Sequence, residues 1–193
     1  MTYLKTILIA TLLMIVSSTA LTYDKVALEL NSKINFTTED IAGIDVETGY
    51  GVEFALSYNF MEQLGVYVGW GWDQYVHEAS RVNTGFVFDE MGYTFGLQFV
   101  RPFGSSEELS YLLKVGGIYN KVSIEPETSG ARVFGPELGW EIAAGVQYDL
   151  GKTWYLRPQI GYRSLTGDDS FSGYTYDFKL NNIAFGLGIA KSF

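Results

Sequence analysis

The single histidine of the chain, His77, is the first residue to consider for catalysis because it lies beside Glu78 and close to Ser80. A hydrolytic site needs a nucleophilic hydroxyl within hydrogen-bond reach of a base that a third group orients. Residues three apart on a β-strand point to opposite faces, so the His77 imidazole and the Ser80 hydroxyl do not meet. We therefore expect no catalytic residue here. The sequence also contains no cofactor-binding, metal-binding or nucleic-acid-binding motif.

A second group of reactive side chains consists of acids and bases at alternate positions among Gly, Ala and Ser. Charges of this kind are stable in a narrow interior only when they are paired and hydrogen-bonded. They predict a salt-bridged polar plug or a narrow gated ion path. We expect Glu53 or Glu141 to pair with Arg157 or Arg163. The set is Glu29, Lys33, Glu53, Asp73, Lys114, Glu137, Glu141, Asp149, Arg157 and Arg163.

The elements that carry these charges are predicted to be β-strands, because bulky apolar residues alternate with small or polar ones. In residues 136–150, for example, Trp140 and Ile142 have one parity and Glu141 has the other. Eight such runs follow one another along the chain. They cover residues 25–36, 50–60, 64–73, 91–99, 111–120, 136–150, 154–163 and 183–193.

The connections between the eight runs alternate in length. Short turns contain MEQ, GSSEE and GK, and they alternate with longer polar segments. This alternation places the short turns and both ends of the chain at one end of the sheet and the longer segments at the other. The longer segments are TTEDIAGIDVE, EASRVNTG, EPETSGARVFG and TGDDSFSGYT.

Two positions do not fit the alternation smoothly. Pro158 lies inside the seventh run and cannot donate a ladder hydrogen bond, so we expect a bulge or a local break there. Phe178 and Leu180 have the opposite parity to Ile183. This change of parity predicts a bulge near Asn181 and Asn182, or a last strand that starts later.

The apolar face of the runs is predicted to contact lipid. A soluble barrel or sandwich would turn this face inward, but an eight-stranded barrel has an interior only wide enough for side chains or one small ligand. The apolar face carries too many Trp, Tyr, Phe and Leu residues to fit inside. Aromatic residues also cluster near both ends of the runs, as in the two girdles at membrane interfaces. The face of Gly, Ala, Ser and charged residues then lines the lumen, and side-chain filling of small barrels favours the plug.

The composition excludes several classes of protein. A formal net charge of -9 argues against binding nucleic acid through phosphates. No cysteine is available for a disulfide. Residues 1–20 combine Lys5, a short apolar run and the small residues Ser18 and Ala20, which predicts a signal peptide cleaved after Ala20. The predicted domains are the signal peptide, residues 1–20, and a β-barrel, residues 21–193.

With these features, the chain resembles the small outer-membrane β-barrels of the OmpA and OmpX type. The resemblance implies an all-β, eight-stranded antiparallel up-and-down transmembrane β-barrel in the outer membrane of a Gram-negative cell. It implies contact with outer-membrane lipid and lipopolysaccharide, and recognition by the barrel-assembly machinery and periplasmic chaperones. Lys191 departs from the family pattern, which usually has an apolar residue there. The residues that match the terminal assembly signal are Phe185, Leu187, Ile189 and Phe193.

The function expected from this resemblance is structural or surface-interacting, as in an adhesin or receptor, with no cofactor. The alternative is a small gated porin. A lipid A-modifying enzyme is a further alternative, but His77 and Ser80 do not have the tighter spacing of the barrel deacylases. The longer segments are rich in Asp and Glu, and their carboxylate oxygens are suitable ligands for divalent cations. Their spacing matches no regular ligand loop, so we interpret them as solvated loop charge.

Overall fold

The computed structural model describes residues 25–38, 48–77, 86–106, 108–126, 132–171 and 174–193. Eight antiparallel strands form one closed barrel in chain order, which confirms the predicted fold class. Within the described ranges, no helix is long and apolar enough to cross a membrane. The predicted signal peptide, residues 1–20, lies outside the described residues and stays a prediction. The strands are β1 (Val26–Thr37), β2 (Thr48–Asn59), β3 (Leu64–His77), β4 (Phe86–Pro102), β5 (Leu109–Pro126), β6 (Arg132–Gly151), β7 (Trp154–Phe171) and β8 (Tyr174–Ser192).

The last strand closes the barrel. β8 pairs with β1 from Ala27 opposite Ser192 to Thr37 opposite Asn182. The ladder continues past the end of the strand, where the Phe193 N–H donates to the Val26 carbonyl at 2.8 Å. In hydrocarbon every unpaired backbone group is costly, so a barrel in lipid leaves no open edge. Alternation therefore persists to the final residues of β8.

The apolar face points outward, as predicted. Phe54 is 59% exposed and Leu187 is 54% exposed, and large apolar side chains at the same parity around the barrel are similarly exposed. Side chains of the opposite parity are buried in the lumen, among them Ala55 and Ala190. The buried side chains of this protein thus lie in the lumen, and many of them are small, polar or charged, whereas its main apolar surface lies outside.

The irregularities differ in part from the prediction. The β6–β7 ladder is interrupted opposite Pro158, between the pairs Gly145–Gln159 and Tyr148–Leu156, without a register shift. This local break is the one predicted from the missing N–H. The bulge expected near Asn181 and Asn182 is wrong, because β8 keeps its register with β7 through both residues. Leu180 is only 2% exposed, so its parity is inward.

The strands also extend further toward the long-loop end than predicted. β7 and β8 pair as far as Phe171 opposite Tyr174, so most of TGDDSFSGYT is strand and the prediction of a long loop there is wrong. β4 starts at Phe86, earlier than predicted, and β6 starts at Arg132. An unpredicted register shift between β5 and β6 occurs at Asn120 and Val122. The polar composition of these segments predicted loops. Two strands can nevertheless pair through their backbones without an apolar face where the hairpin is surrounded by water.

Candidate functional site

The lumen holds two clusters of buried ionic groups, and the first is centred on Glu29 of β1. The Lys114 ammonium of β5 donates to both Glu29 carboxylate oxygens at 3.2 Å. Arg157 of β7 donates to Glu29 Oε2 at 2.6 Å, and Gln159 donates to Oε1 at 3.1 Å. Arg157 also contacts Gln147 of β6 at 2.7 and 3.0 Å. We call this group of residues the lower cluster. It connects four strands across the lumen.

The second cluster is centred on Asp73 of β3. Its carboxylate accepts from Lys33 at 3.1 Å, from Arg163 at 2.9 Å and from the Asn35 amide at 2.7 Å. Lys33 also lies 3.5 Å from Glu53. The three partners of Asp73 are on β1 and β7, so the barrel has to close before this upper cluster can form.

Arg163 links the upper cluster to two further carboxylates. Its guanidinium lies 3.3 Å from Glu90 and 3.4 Å from Glu141. The Tyr67 hydroxyl donates to Glu141 at 2.6 Å, and the Asn120 amide donates to Glu90 at 2.6 Å. A planar guanidinium with five donors suits this multiple contact better than an ammonium does.

An apolar layer lies beyond the upper cluster, toward the ends of the strands at the long loops. Five side chains of this layer are each no more than 2% exposed and have lumen-facing parity. Next to them, the Tyr75 hydroxyl donates to Glu90 at 3.3 Å and accepts from Asn182 at 3.0 Å. The five side chains of the apolar layer are Phe88, Ile118, Val122, Leu165 and Leu180.

Glycines beside the buried charged side chains leave the space that those side chains occupy. A Cβ at Gly51 would collide with the Asp73 carboxylate, and a Cβ at Gly188 would lie 2.8 Å from Glu29 Oε1. Both glycines are buried in strands beside the ionic clusters. Glycine weakens a strand by itself, so its use here reflects the close approach of a charged side chain to the backbone.

The structure brings together eight of the ten predicted lumen residues. Of the expected pairs, it contains Arg163 with Glu141, whereas Glu53 contacts Lys33 and neither arginine. Glu137 is half-buried and takes part in none of the ion pairs found among the described residues. Asp149 is also outside the network because its carboxylate accepts from the Gly151 N–H at 2.6 Å in its own turn. The eight are Glu29, Lys33, Glu53, Asp73, Lys114, Glu141, Arg157 and Arg163.

Sequence reasoning missed Glu90 and most of the uncharged partners. Glu90 has the same parity as Gly92 and Thr94, so extending the fourth run by one residue would have found it. The uncharged partners carry no such signal, because Asn and Gln occur at many inward positions. They are Asn35, Tyr67, Tyr75, Asn120, Gln147, Gln159 and Asn182.

The other predicted sites have simpler outcomes. Residues 78–85, which include Ser80, lie outside the described residues, as does the side chain of His77. Among the described residues, no group of three or more His, Cys, Asp or Glu is arranged to hold a metal ion. In β8, the residues of the predicted assembly signal that lie inside the strand are outward and about half exposed: Phe185, Leu187 and Ile189.

Lys191 fits its outward position through two aromatic neighbours. Its ammonium lies 5.2 Å from the ring centroids of both Trp154 and Phe193. Such cation–π contacts stabilise an ammonium at a membrane interface, where the stem of the lysine lies along apolar surface. The departure from the usual apolar residue therefore has a structural explanation.

Comparisons with known proteins agree with this geometry. The model of the outer membrane protein beta-barrel domain family matches residues 8–190. The chain belongs to this family. As an OmpA/OmpX-like member, it is an integral protein of the Gram-negative outer membrane and contacts outer-membrane lipid. No curated protein matches the chain in sequence.

Solved structures of other small barrels are similar in fold to this family member. Neisserial surface protein A (NspA) superposes with a TM-score of 0.61 at 13% identity, covering 87% of this chain and 97% of that one. OprG from Pseudomonas aeruginosa has a TM-score of 0.62 at 12% identity, with coverages of 88% and 96%. Ail, the attachment invasion locus protein of Yersinia pestis, was solved with the heparin analogue sucrose octasulfate. It has a TM-score of 0.53 at 16% identity, with coverages of 86% and 97%. At these identities the likeness extends to the fold alone.

Proposed function

We propose that this barrel is a non-enzymatic surface-interaction protein whose lumen is closed by a charged plug. The observation that carries the proposal is the pair of ionic clusters around Glu29 and Asp73, whose charged side chains are almost completely buried. A hydrated pore would leave such groups exposed to water. The apolar layer that includes Phe88 and Leu180 adds a second obstruction, because ions do not shed their hydration at a hydrophobic constriction.

The surface role is supported by the plan of the barrel. A rigid scaffold commonly carries its binding residues on loops, and outer-membrane barrels present their longer loops externally. NspA is named as a surface protein and Ail as an attachment protein, and both have this fold. The longer segments of this chain contain Glu39, Asp40, Asp45 and Glu47. An acidic surface attracts basic partners and repels polyanions, so we propose a ligand with a basic surface.

Planar-bilayer recording tests the plug. We expect the purified barrel to be electrically silent at moderate voltage. The matched comparison is Arg163→Ala, which removes the cation that contacts Asp73, Glu90 and Glu141, against Lys152→Ala in an exposed turn. Steady openings of the wild type that change in Arg163→Ala and not in Lys152→Ala would favour the alternative, a small gated porin.

Cell adhesion tests the surface role. Cells that display the barrel should adhere to a surface coated with a basic protein more strongly than cells without it. A variant in which Glu39, Asp40, Asp45 and Glu47 are replaced by the corresponding amides should lose this gain. Equal adhesion of cells with and without the barrel, or stronger adhesion of the displaying cells to heparin-coated surfaces, would contradict the proposed ligand class.

A further inference from the structure

Four polar and aromatic side chains form a hydrogen-bonded group on the outer wall of the barrel. The Tyr50 hydroxyl of β2 donates to the Gln74 amide oxygen of β3 at 2.6 Å. The Gln74 amide and the Trp72 indole N–H then both donate to Asp89 Oδ1 of β4, at 3.0 and 3.2 Å. The centroids of the Tyr50 and Trp72 rings lie 6.3 Å apart, at an interplanar angle of 77°. We call these four residues the outer-wall group.

The outer-wall group lies on the external side of the membrane, at the level of the lipid headgroups. Its parity is outward, because side chains of the opposite parity on the same strands are buried in the lumen. In the register, Gln74 stands opposite both Tyr50 and Asp89, and this row lies beyond the exposed Tyr93 toward the long loops. Outer-membrane barrels present their longer loops externally. The group therefore faces the headgroups of the outer leaflet.

The outer-wall group has unused hydrogen-bonding capacity. Among the described residues, both hydrogen bonds to the Asp89 carboxylate end on Oδ1, and none is found to Oδ2. Asp89 also takes part in none of the ion pairs found among these residues. A carboxylate oxygen offers two acceptor sites, and the Gln74 amide has a second N–H to donate. The group is therefore suited to a ligand rich in hydroxyl groups.

A separate cation lies on the same wall. Lys121 of β5 is exposed and stands opposite Met91 of β4, while Asp89 stands opposite Ser123. Asp89 and Lys121 are thus on adjacent strands and carry opposite charges, yet no ion pair between them is found. The wall therefore presents a hydrogen-bond acceptor and, beside it, a cation that is available to an anionic group.

We propose that the outer-wall group, together with Lys121, binds the phosphorylated sugar of lipopolysaccharide in the outer leaflet. A sugar ring has apolar C–H faces, which pack on the Trp72 and Tyr50 rings, and hydroxyl groups, which donate to the Asp89 carboxylate. The sugar phosphate binds the Lys121 ammonium and avoids Asp89, because like charges repel. A phospholipid headgroup has a phosphate but no sugar ring, so it matches only the Lys121 part of the site.

Native mass spectrometry of the folded barrel in detergent tests the site. Deep-rough lipopolysaccharide is titrated against the wild type and its variants, and the Kd is obtained from the bound fraction. Asp89→Asn should weaken binding about tenfold, because hydrogen bonds to a charged acceptor are stronger than those to a neutral one. Its control is Glu108→Gln, which changes an exposed carboxylate that accepts from the Tyr148 hydroxyl at the short-turn end. This control should keep the Kd of the wild type.

Further titrations resolve which part of the ligand each residue contacts. The wild type should prefer phosphorylated over dephosphorylated lipopolysaccharide, and Lys121→Gln should bind both forms equally. Trp72→Leu should weaken the binding of both forms several-fold, whereas Trp154→Leu, at the short-turn end, should not. Phosphatidylglycerol, an anionic lipid without a sugar ring, should bind equally to the wild type and to Asp89→Asn.

Three results would overturn the proposal. Equal lipopolysaccharide Kd values for the wild type, Asp89→Asn and Trp72→Leu would mean that the outer-wall group does not bind the sugar. An equal loss of phosphatidylglycerol binding in Asp89→Asn would assign the group to anionic lipids in general. Binding of the deacylated saccharide as tightly as of whole lipopolysaccharide would assign it to a free sugar. Only variants that show the heat-dependent gel shift of the folded barrel are titrated, and the adhesion test of the loops is independent of these results.

Discussion

At the scale of single residues, Glu29 shows how the lumen is stabilised. Its carboxylate is almost fully buried and accepts from Lys114, Arg157 and Gln159, which come from other strands. A buried pair is weak support for stability when compared with an apolar replacement, but removal of one partner leaves the others uncompensated. The position therefore tolerates change poorly although it lies far from any loop.

Glu29→Gln is expected to destabilise the barrel by about 3–5 kcal/mol, because two buried cations lose their counter-charge. The control is Asp149→Asn, which changes a carboxylate that accepts from the Gly151 N–H in a turn. We expect this control to cost about 1 kcal/mol or less. Urea unfolding of both variants in vesicles measures the difference, and similar losses would mean that the lower cluster adds little.

At the scale of strands, close packing of neighbouring backbones explains why inward positions are so small. A Cβ at Gly96 of β4 would collide with the Val115 carbonyl of β5 and lie 2.6 Å from the Gly116 Cα. A Cβ at Gly71 of β3 would meet nothing closer than 3.5 Å. The two glycines are on adjacent strands but differ in the space around them.

Gly96→Ala should therefore cost about 1–3 kcal/mol, as overpacking does. Gly71→Ala should be neutral or stabilise slightly, because alanine restricts the unfolded chain more than glycine. Thermal unfolding in detergent, followed by the heat-dependent shift in gel mobility, distinguishes the two variants. Equal behaviour would show that the β4–β5 interface relaxes easily.

The last strand has a second predicted role in assembly. Phe193 directly follows β8, and its ring lies close to the Lys191 ammonium. The resemblance to the OmpA and OmpX type implies that the assembly machinery reads this end. Phe193→Ala should lower the yield of folded barrel in outer membranes several-fold. Its stability after refolding from urea in vitro should change little, because the aromatic ring is at the edge of the barrel. A large loss of stability in vitro would assign Phe193 a structural role instead.

At the scale of the whole molecule, the barrel is turned inside out compared with a soluble domain. Its large apolar side chains face lipid, and its charged side chains are buried in the lumen. Leu187 and Leu150 are both 54% exposed and outward, but Leu150 adjoins the turn at Gly151. Because the two positions differ in depth, we expect the same substitution to reduce the stability of the folded barrel by different amounts.

Leu187→Arg should destabilise by about 2–4 kcal/mol, as expected for a cation near the bilayer midplane, and Leu150→Arg by about 0–1 kcal/mol near the interface. The measurement is urea unfolding in vesicles of defined lipid. In detergent micelles, which adapt around a charge, the difference should shrink. Equal penalties in vesicles would contradict the depth assigned to β8.

The sequence by itself determined that there are eight strands, which face of each is apolar, and that the sheet closes, but it did not determine where the strands end near the long loops. These follow from a period of two, which is local, and from the mismatch between many bulky side chains and a narrow interior. It also indicated which charges are enclosed, such as Asp73 and Arg163. Only the tertiary structure decided that these two residues pair and that Glu53 faces Lys33, because ion pairs across a lumen join strands far apart in the chain. Tertiary structure also turned Leu165 and Leu180 inward, where burial in the lumen removes their apolar side chains from water.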